Sequence, residues 1–285
     1  MPPIRPDAIS VIIPTFNRVH TLGRALDSIY VQSTPPAEII VVDDGSTDET
    51  HSFLQKEHSS VRQITQENRG VSAARNRGIA ASHTTWIALL DSDDAWKPDK
   101  LTMQIQALER EPSSRICHTE EIWIRKGRRV NPKHKHAKSE GWLFERSLEL
   151  CCISPSSVLF HRSLFDDHGP FDESLPACED YDLWLRVTAT EPVTFVSQPV
   201  TVKYGGHEDQ LSRTFWGMDR FRIRSLEKLL QSKILSHDQS QAAVRVLVAK
   251  LEILVDGALK RDNRKVLAEF EPALAFWSGR HQGGF

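Results

Sequence analysis

Short strand-like runs alternate with amphipathic segments over the first hundred residues of the chain. The runs at 10–14, 38–42, 61–64 and 86–90 predict four strands, and turn-forming or polar residues flank them. Apolar residues at helical spacing predict a helix at 21–31. A second helix is predicted to open at Thr47, Asp48 and Glu49, whose acidic side chains suit a helix N-terminus, and the Ala- and Arg-rich residues 71–81 predict a third. This alternation is typical of a parallel sheet whose crossover helices cover both faces.

The pattern becomes less regular in the second part of the chain. A helix is predicted directly after Asp99, and its apolar residues recur at helical spacing. Residues 116–124 and a strand from Arg128 onward predict a β-hairpin that turns at Lys126-Gly127. We therefore expect a less regular structure beyond residue 100.

From Phe215 onward the sequence predicts helices. Two segments carry apolar residues at helical spacing, which indicates stripes that join a core or a homodimer contact rather than a cofactor site. These residues are Leu226, Leu229 and Leu230 in the first segment, and Val244, Leu247, Val248, Leu251, Leu254 and Val255 in the second.

Composition and charge are those of an ordinary globular protein of one large domain or two small ones, with 285 residues, 39% apolar and 26% charged. A net charge of −2 gives no overall attraction to nucleic acid or to an anionic membrane, so we expect no nucleic acid partner. The apolar runs are far shorter than the roughly 20 residues that cross a bilayer, and no secretory signal is predicted. We expect a cytoplasmic protein, at most in peripheral contact with the inner face of the membrane.

Two local compositions add to this picture. The segment 125–138 carries seven Lys or Arg residues and two His, which predicts a solvated loop or, alternatively, a contact with a phosphate-bearing acceptor. The four cysteines show neither zinc-binding nor disulfide-framework spacing, so reduced, mostly buried thiols are expected. They are Cys117, Cys151, Cys152 and Cys178.

Polar residues follow three of the predicted strands, at 14–18, 43–48 and 91–94. Ligands of an open parallel sheet bind beyond the carboxyl ends of its strands, so these residues are expected to converge on one cleft. Roles in turns and at helix caps are the alternative for Asp44 and Asp48.

Asp91 and Asp93 follow the most apolar of the predicted strands. Carboxylates on alternate residues suit a hard divalent cation, which keeps waters and diphosphate oxygens as its other ligands. The expected ion is Mg or Mn.

Four segments of the chain, taken together and in this order, resemble the donor-binding half of family 2 glycosyltransferases with the GT-A fold. They read SVIIPTFNR, IIVVDDGSTDET, NRGVSAARNRGI and ALLDSDDAW. The resemblance continues through GPFDE at 169–173 and EDYDLWLR at 179–186, and it covers roughly residues 8–210. It implies an α/β, nucleotide-diphospho-sugar transferase fold with a Rossmann-like, mostly parallel sheet flanked by helices.

The resemblance also suggests how the chain is divided. Residues 1–212 would form the GT-A domain, with a nucleotide-binding half at about 8–100 and an acceptor half at about 101–212. Residues 213–285 would form a C-terminal helical extension, which lies outside the resemblance.

The resemblance implies a donor site built from several strand ends. The residues it assigns to the nucleotide sugar are Thr15, Phe16, Asn17, Asp43, Asp44, Arg69, Arg75 and Asp91. The two arginines offer guanidinium donors to the nucleotide, and pairing with local acids is their alternative role. The residues it assigns to the metal are Asp91, Asp93 and His207; a glycine hinge is the alternative for the segment of His207.

The implied reaction is a single displacement with inversion at the anomeric carbon. Asp180 is the candidate general base for the acceptor hydroxyl, and Glu179 is its competitor, with stabilisation of the helix N-terminus as its alternative role. One base and one metal suffice, because the metal neutralises the leaving diphosphate. Trp184 is expected to be buried beneath this helix rather than to stack on sugar.

Three functions are therefore compared. The first is a metal-dependent glycosyltransferase that moves a sugar from a nucleotide sugar, expected to be UDP-linked, to a saccharide or lipid-linked acceptor. The second is a sugar nucleotidyltransferase, for which the sequence lacks a Gly-rich phosphate loop with its lysine after the first strand. The third is a non-catalytic donor-binding or scaffold protein, against which the DSD and ED motifs together argue.

Overall fold

The computed structural model of the chain describes residues 4–206 and 215–283. Its strands are β1 (Ile9–Thr15), β2 (Glu38–Asp43), β3 (Arg62–Thr65), β4 (Trp86–Leu89), β5 (Ala95–Trp96), β6 (Ile116–Arg125), β7 (Arg128–Val130), β8 (Leu159–His161) and β9 (Thr194–Gly205). Its helices are α1 (Val19–Tyr30), α2 (Thr50–Glu57), α3 (Val71–Ala81), α4 (Lys100–Arg110), α5 (Phe144–Glu149), α6 (Ser163–His168), α7 (Glu179–Thr188), α8 (Asp219–Gln231), α9 (His237–Leu259) and α10 (Arg264–Gly283).

One sheet organises the described part of the molecule, in the order β3-β2-β1-β4-β8-β6-β9-β5, with β7 paired to the outer part of β6. Strands β1 to β4 are parallel to one another, whereas the two-residue strand β5 is antiparallel to β9. The short strand β8 is antiparallel to both of its neighbours, while β6 and β9 are parallel to each other. The predicted α/β architecture is confirmed, and so is the hairpin of β6 and β7.

The central strands are apolar because helices cover them on both sides. All seven residues of β1 and all four of β4 are buried. Helix α3 approaches the sheet closely at Gly78, where an added Cβ would lie 2.4 Å from Ile12 Cγ2 and 3.0 Å from Val42 Cγ2. This glycine therefore sets the distance between α3 and the sheet.

Helix α2 begins at Thr50, whereas the sequence predicted that it would open at residues 47–49. The Asp48 carboxylate accepts hydrogen bonds from the backbone N–H of Thr50 at 3.0 Å and of Val19 at 3.2 Å. Asp48 therefore precedes the helix and connects the start of α2 to the start of α1, as expected for an Asp that binds orphan N–H groups.

The C-terminal helices share a hydrophobic core with α7. Leu226, Leu247 and Phe270, from α8, α9 and α10, belong to the same buried cluster as Tyr181 and Leu185. The predicted stripes are thus largely used inside this chain, and a homodimer contact through these helices stays a prediction. Among the described residues, no helix combines the length and hydrophobicity that crossing a membrane requires.

The cysteine prediction agrees with the structure. All four cysteines are free; three are buried and Cys151 is partly buried.

Candidate active site

A cavity of about 710 Å³ opens at the carboxyl ends of β1 and β4. It also reaches the end of β2, the N-termini of α3 and α7 and the end of β9, so strands and helices together supply its walls. The predicted site residues that line it are Thr15, Phe16, Asn17, Asp44, Arg75, Asp91, Asp93, Glu179 and Asp180. The structure therefore brings three polar strand ends and the ED motif into one cleft, where an open α/β sheet binds its ligands.

Two predicted residues, Asp43 and Arg69, do not line the cavity, and a third is not described. Asp43 is buried beside the cleft without lining it, and its carboxylate accepts the backbone N–H of Ser46 at 2.9 Å. Arg69 lies outside the cleft lining, where its exposed guanidinium pairs with Glu173 at 2.7 Å. His207 lies outside the described residues.

Arg75 is the electrostatic centre of the cleft wall. Its guanidinium donates to Asp91 at 2.7 Å and to Glu179 at 2.6 Å, and only 4% of its side chain is exposed. Burial alone would lower the pKa of Arg75, but the two carboxylates raise it above its ordinary value. The arginine therefore holds together the end of β4 and the start of α7.

The loop 91–94 after β4 concentrates negative charge. Burial and the nearby charge of Asp91 raise the pKa of Asp93 above its ordinary value. Asp94 is anchored instead, since its carboxylate accepts from the Ser156 hydroxyl at 2.6 Å and the Tyr204 backbone N–H at 3.0 Å. Asp91 and Asp93 thus remain as the carboxylates that face the cavity.

This donor set fits a hard divalent cation. Carboxylate oxygens are the ligands that Mg²⁺ and Mn²⁺ prefer, and a bound cation would relieve the repulsion that raises the pKa of Asp93. Within residues 4–206 and 215–283, no group of three or more His, Cys, Asp or Glu side chains is arranged to hold a metal. A cation there would need further ligands from a bound diphosphate or water, as is usual for Mg²⁺.

The wall of the cleft at the ends of β1 and β2 is held in shape by side chains that are hydrogen-bonded to the backbone. Asp44 accepts from the backbone N–H groups of Arg69 and Gly70 at 2.9 and 2.8 Å. Asn17 Oδ1 accepts from the backbone N–H of Thr47 at 2.7 Å. In contrast, the buried Thr15 Oγ1 has no hydrogen-bond partner among the described residues.

The two residues of the ED motif have different surroundings. Glu179 is buried and bonded to Arg75, and its burial raises its pKa. Asp180 is half-buried and lines the cleft. The residue before them, Cys178, starts α7 with a φ of 63°, a left-handed conformation that is unusual for a residue with a side chain. This turn directs the start of α7 into the cavity.

The tryptophan of the motif packs in the core. Trp184 is 1% exposed, and its ring lies edge-on to Phe160 and Phe171 at centroid distances of 6.1 and 6.5 Å. As expected, it supports α7 and does not line the cavity.

Residues 10–169 match the model of a protein family described as glycosyl transferase family 2. The chain belongs to this family. It is a glycosyltransferase, and the predicted transfer of a sugar is confirmed at that level.

Relatives of this glycosyltransferase carry related names. An uncharacterized glycosyltransferase of Rickettsia typhi is 28% identical over 284 residues, 97% of this chain and 87% of the relative. The Escherichia coli UDP-Glc:alpha-D-GlcNAc-diphosphoundecaprenol beta-1,3-glucosyltransferase WfgD is 29% identical over 191 residues, 66% of this chain and 73% of WfgD. The structure of S. aureus TarS 1–349 in complex with UDP-GlcNAc has a TM-score of 0.71 at 19% identity, covering 88% of this chain and 74% of that one. The predicted GT-A fold is confirmed.

The structure adds cleft residues of this glycosyltransferase that the sequence analysis missed. Lys203 lines the cavity; burial would lower its pKa, but four nearby carboxylates raise it above its ordinary value. They belong to Glu121, Asp94, Asp91 and Asp180. The sequence signal was a basic residue near the end of a strand, but the facing carboxylates are far away in sequence.

Arg24 of α1 was missed for a similar reason. Its guanidinium donates to the backbone carbonyl of Asp93 at 2.6 Å and lies over the ring of Tyr204, 3.7 Å from the centroid. It therefore links the acidic loop 91–94 to the end of β9, and it is a positioning residue. In the sequence it reads as an ordinary polar position of an amphipathic helix.

Proposed function

We propose that this glycosyltransferase is an inverting enzyme that moves a sugar from a UDP-sugar to a hydroxyl of a saccharide or lipid-linked acceptor, with Mn or Mg as its cofactor. The observation that carries the proposal is the meeting of Asp180, the pair Asp91 and Asp93, and the nucleotide-side residues in one cavity. The name of WfgD specifies a UDP-Glc donor and a diphosphoundecaprenol acceptor, which supports this choice of substrates, as does the UDP-GlcNAc bound to TarS.

Asp180 is the proposed general base. The acceptor hydroxyl must lose its proton as its oxygen attacks the anomeric carbon, and a carboxylate in hydrogen-bond reach accepts that proton. Glu179 is less suited to this role, because its carboxylate is already bonded to the buried Arg75. Direct attack on the face opposite the leaving diphosphate inverts the anomeric configuration.

Asp91 and Asp93 would hold the divalent cation, with His207 as a further proposed ligand. The cation, when bound, supplies positive charge that stabilises the diphosphate as it leaves. Lys203 adds a fixed positive charge on the same side of the cavity, near Asp91 and Asp94. Arg75 orients Asp91 from behind.

The nucleotide would lie against the ends of β1 and β2. Thr15, Phe16 and Asn17 form that wall, and the Phe16 side chain is 44% exposed. Asp43 and Asp44 stay in the proposal as residues for the base and ribose, Asp44 at the cavity and Asp43 behind it. Arg69 and Arg75 stay as arginines on the nucleotide side.

Residues 1–212 form the proposed catalytic domain, with residues 213–285 as its helical extension. An acceptor on a lipid carrier would bring the enzyme to the inner face of the membrane. A homodimer through the C-terminal helices would leave this cleft accessible only if the contact avoids Met218, which lines it.

Calorimetric titration tests the donor site. The wild type and Asp93→Ala are titrated with UDP, a panel of UDP-sugars, GDP and dTDP, with and without Mn. We expect metal-dependent binding of uridine nucleotides that Asp93→Ala loses. The matched control is Asp262→Ala, whose side chain is 81% exposed, and which should bind as the wild type does.

Each outcome bears on a different part of the proposal. Equal binding with and without Mn would overturn the metal. Preference for GDP or dTDP would overturn the uridine donor. Absence of binding by any nucleotide would overturn the donor site as a whole.

A further inference from the structure

The hairpin of β6 and β7 carries a concentrated patch of positive charge. We define the cationic hairpin as residues 125–136, which includes the loop after β7. Six of its Lys and Arg side chains are exposed, and none forms an ion pair with a described carboxylate. They are Arg125, Lys126, Arg128, Arg129, Lys133 and Lys135.

The patch is a local excess of positive charge on a chain whose remainder is acidic. Residues 125–138 contain seven Lys or Arg and no Asp or Glu, and the net charge of the chain is −2, so the rest of the chain carries −9. Burial, and then the positive charges of Lys135, Lys133 and Arg125, lower the pKa of His136. The charges therefore act on one small region of space rather than being dispersed along an extended loop.

The cationic hairpin lies beside the catalytic cleft. Trp123 and Ile124 of β6 pair with Lys203 and Tyr204 of β9, and those two partners line the cavity. The chain then turns tightly at Lys126 and Gly127, whose φ angles are 49° and 73°. The exposed charges thus project from the same edge of the sheet at which the cavity opens.

The distribution of these charges indicates what kind of anion they meet. A discrete phosphate site needs donors that converge and are partly buried, as in bidentate arginine sites. Here all six side chains are exposed on a protruding turn and its following loop, and no buried donor stands among them. Such an arrangement suits an extended surface of many anions, to which each Lys or Arg adds a similar attraction.

We propose that the cationic hairpin docks the enzyme on the surface of an anionic phospholipid bilayer and so holds the open side of the cleft at the headgroups. The proposal rests on the proposed function in one respect: a lipid-linked acceptor would be presented at that level. Its physical basis, the charge complementarity, is independent of the sugar or nucleotide. The acidic remainder of the molecule would face away from the bilayer.

Flotation with lipid vesicles tests the proposal. The full chain is mixed with vesicles of phosphatidylcholine alone and with vesicles of equimolar phosphatidylcholine and phosphatidylglycerol. We compare the wild type with a triple variant of the hairpin and with a control that removes three exposed charges elsewhere. The hairpin variant is Lys126→Gln, Arg128→Gln and Arg129→Gln; the control is Lys56→Gln, Arg110→Gln and Lys260→Gln.

We expect the wild type and the control to float with the anionic vesicles only, and less so as salt is raised. The hairpin variant should lose about two orders of magnitude in partition, about fivefold for each charge removed. Equal loss in both variants would overturn the proposal, because net charge rather than the hairpin would then be responsible. Equal binding of all three proteins to both kinds of vesicle would also overturn it.

Two further arms distinguish other anions and the proposed function. Hairpin-dependent binding of inorganic diphosphate or of soluble heparin without binding of the anionic vesicles would replace the bilayer by a soluble anion. UDP titration of the same proteins separates the two proposals. Vesicle binding without UDP binding would overturn the donor site alone, while UDP binding without vesicle binding would overturn the membrane surface alone.

Discussion

Two adjacent carboxylates open α7, and their neighbours make them chemically different. Glu179 is buried and forms an ion pair with Arg75, whereas Asp180 is half-buried at the cavity wall. The Cys151 thiol lies beside Asp180, and burial and that carboxylate raise its pKa well above the ordinary value. At the residue scale, the site therefore separates a structural acid from an accessible one.

Asp180→Asn should remove sugar transfer and keep donor binding. An amide cannot accept the acceptor proton, so we expect kcat to fall by about 10²-fold to 10⁴-fold. The measurement pairs a UDP-release assay with UDP titration. Glu179→Gln is the comparison, and its kcat should fall less. A larger loss of kcat in Glu179→Gln than in Asp180→Asn would make Glu179 the general base instead of Asp180.

Arg75→Met should destabilise the protein strongly. The change leaves the carboxylates of Asp91 and Glu179 without their buried partner, and removing one member of a buried ion pair costs about 3–5 kcal/mol. Urea unfolding measures this free energy. Adding Glu179→Gln to Arg75→Met should recover part of the loss, because one unpaired charge is then neutral.

The control for Arg75 is Arg264→Met. The Arg264 side chain is 87% exposed and lies 3.5 Å from Asp262, so its removal should change the free energy of unfolding by less than about 1 kcal/mol. If the two variants unfolded at the same urea concentration, the ion pairs of Arg75 would not contribute to the free energy of unfolding.

At the scale of elements, α3 shows how one position sets a packing distance. Its bounds, Val71–Ala81, are those that its Ala- and Arg-rich composition predicted, yet its close contact with β1 depends on Gly78. The same helix carries Arg75 into the cleft. A displacement of α3 from the sheet would therefore move the guanidinium that joins Asp91 to Glu179.

Gly78→Ala should destabilise the protein although Ala is the better helix former. The new methyl group would lie 2.4 Å from Ile12 Cγ2, and overpacking of this kind costs about 1–3 kcal/mol. Gly279→Ala in α10 is the matched control, because no atom lies within 4 Å of its added Cβ. The control should gain up to about 1 kcal/mol from helix propensity. Equal thermal midpoints for the two variants would contradict the close contact.

For the whole molecule, the C-terminal helices and α7 share one hydrophobic core, so we expect them to unfold as one cooperative unit. Buried residues of α8, α9 and α10 pack in one cluster with α5 and α7. The Trp277 indole N–H of α10 also donates to Glu227 of α8 at 2.9 Å, which joins the last helix to the first of the three. The support of Asp180 thus extends to the end of the described chain.

Leu247→Ala should lower the stability of the whole protein by about 2–5 kcal/mol. Leu247 is completely buried in α9, while Ile253 of the same helix is 69% exposed, so Ile253→Ala should change stability by at most about 0.5 kcal/mol. Because the unit is cooperative, saturating UDP should raise the thermal midpoint of Leu247→Ala in a single transition. Two transitions, with only one moved by UDP, would show that the helices unfold separately.

Local pattern alone determined much of this fold. The strands β1, β2 and β4 follow from periodicity and turn residues, and the helix α3 from its Ala- and Arg-rich composition, because these signals act over a few residues. The position of the cleft follows from the rule that parallel strands present their carboxyl ends together. Six of the predicted site residues line the cavity for this reason, because they lie at or just after the ends of β1, β2 and β4. Arg75, Glu179 and Asp180 reach it from helices α3 and α7.

Pairing between distant segments was decided only by the tertiary structure. The bond from Arg75 to Glu179 spans 104 residues, and the bond from the Tyr204 N–H to Asp94 spans 110. No local periodicity encodes such partners, which is why Lys203 and Arg24 were missed, and why Asp43 and Arg69 lie outside the cavity lining although their motif is present. The sequence determined which elements form and where their ends meet, while the closing of the chain on itself decided which charges face one another.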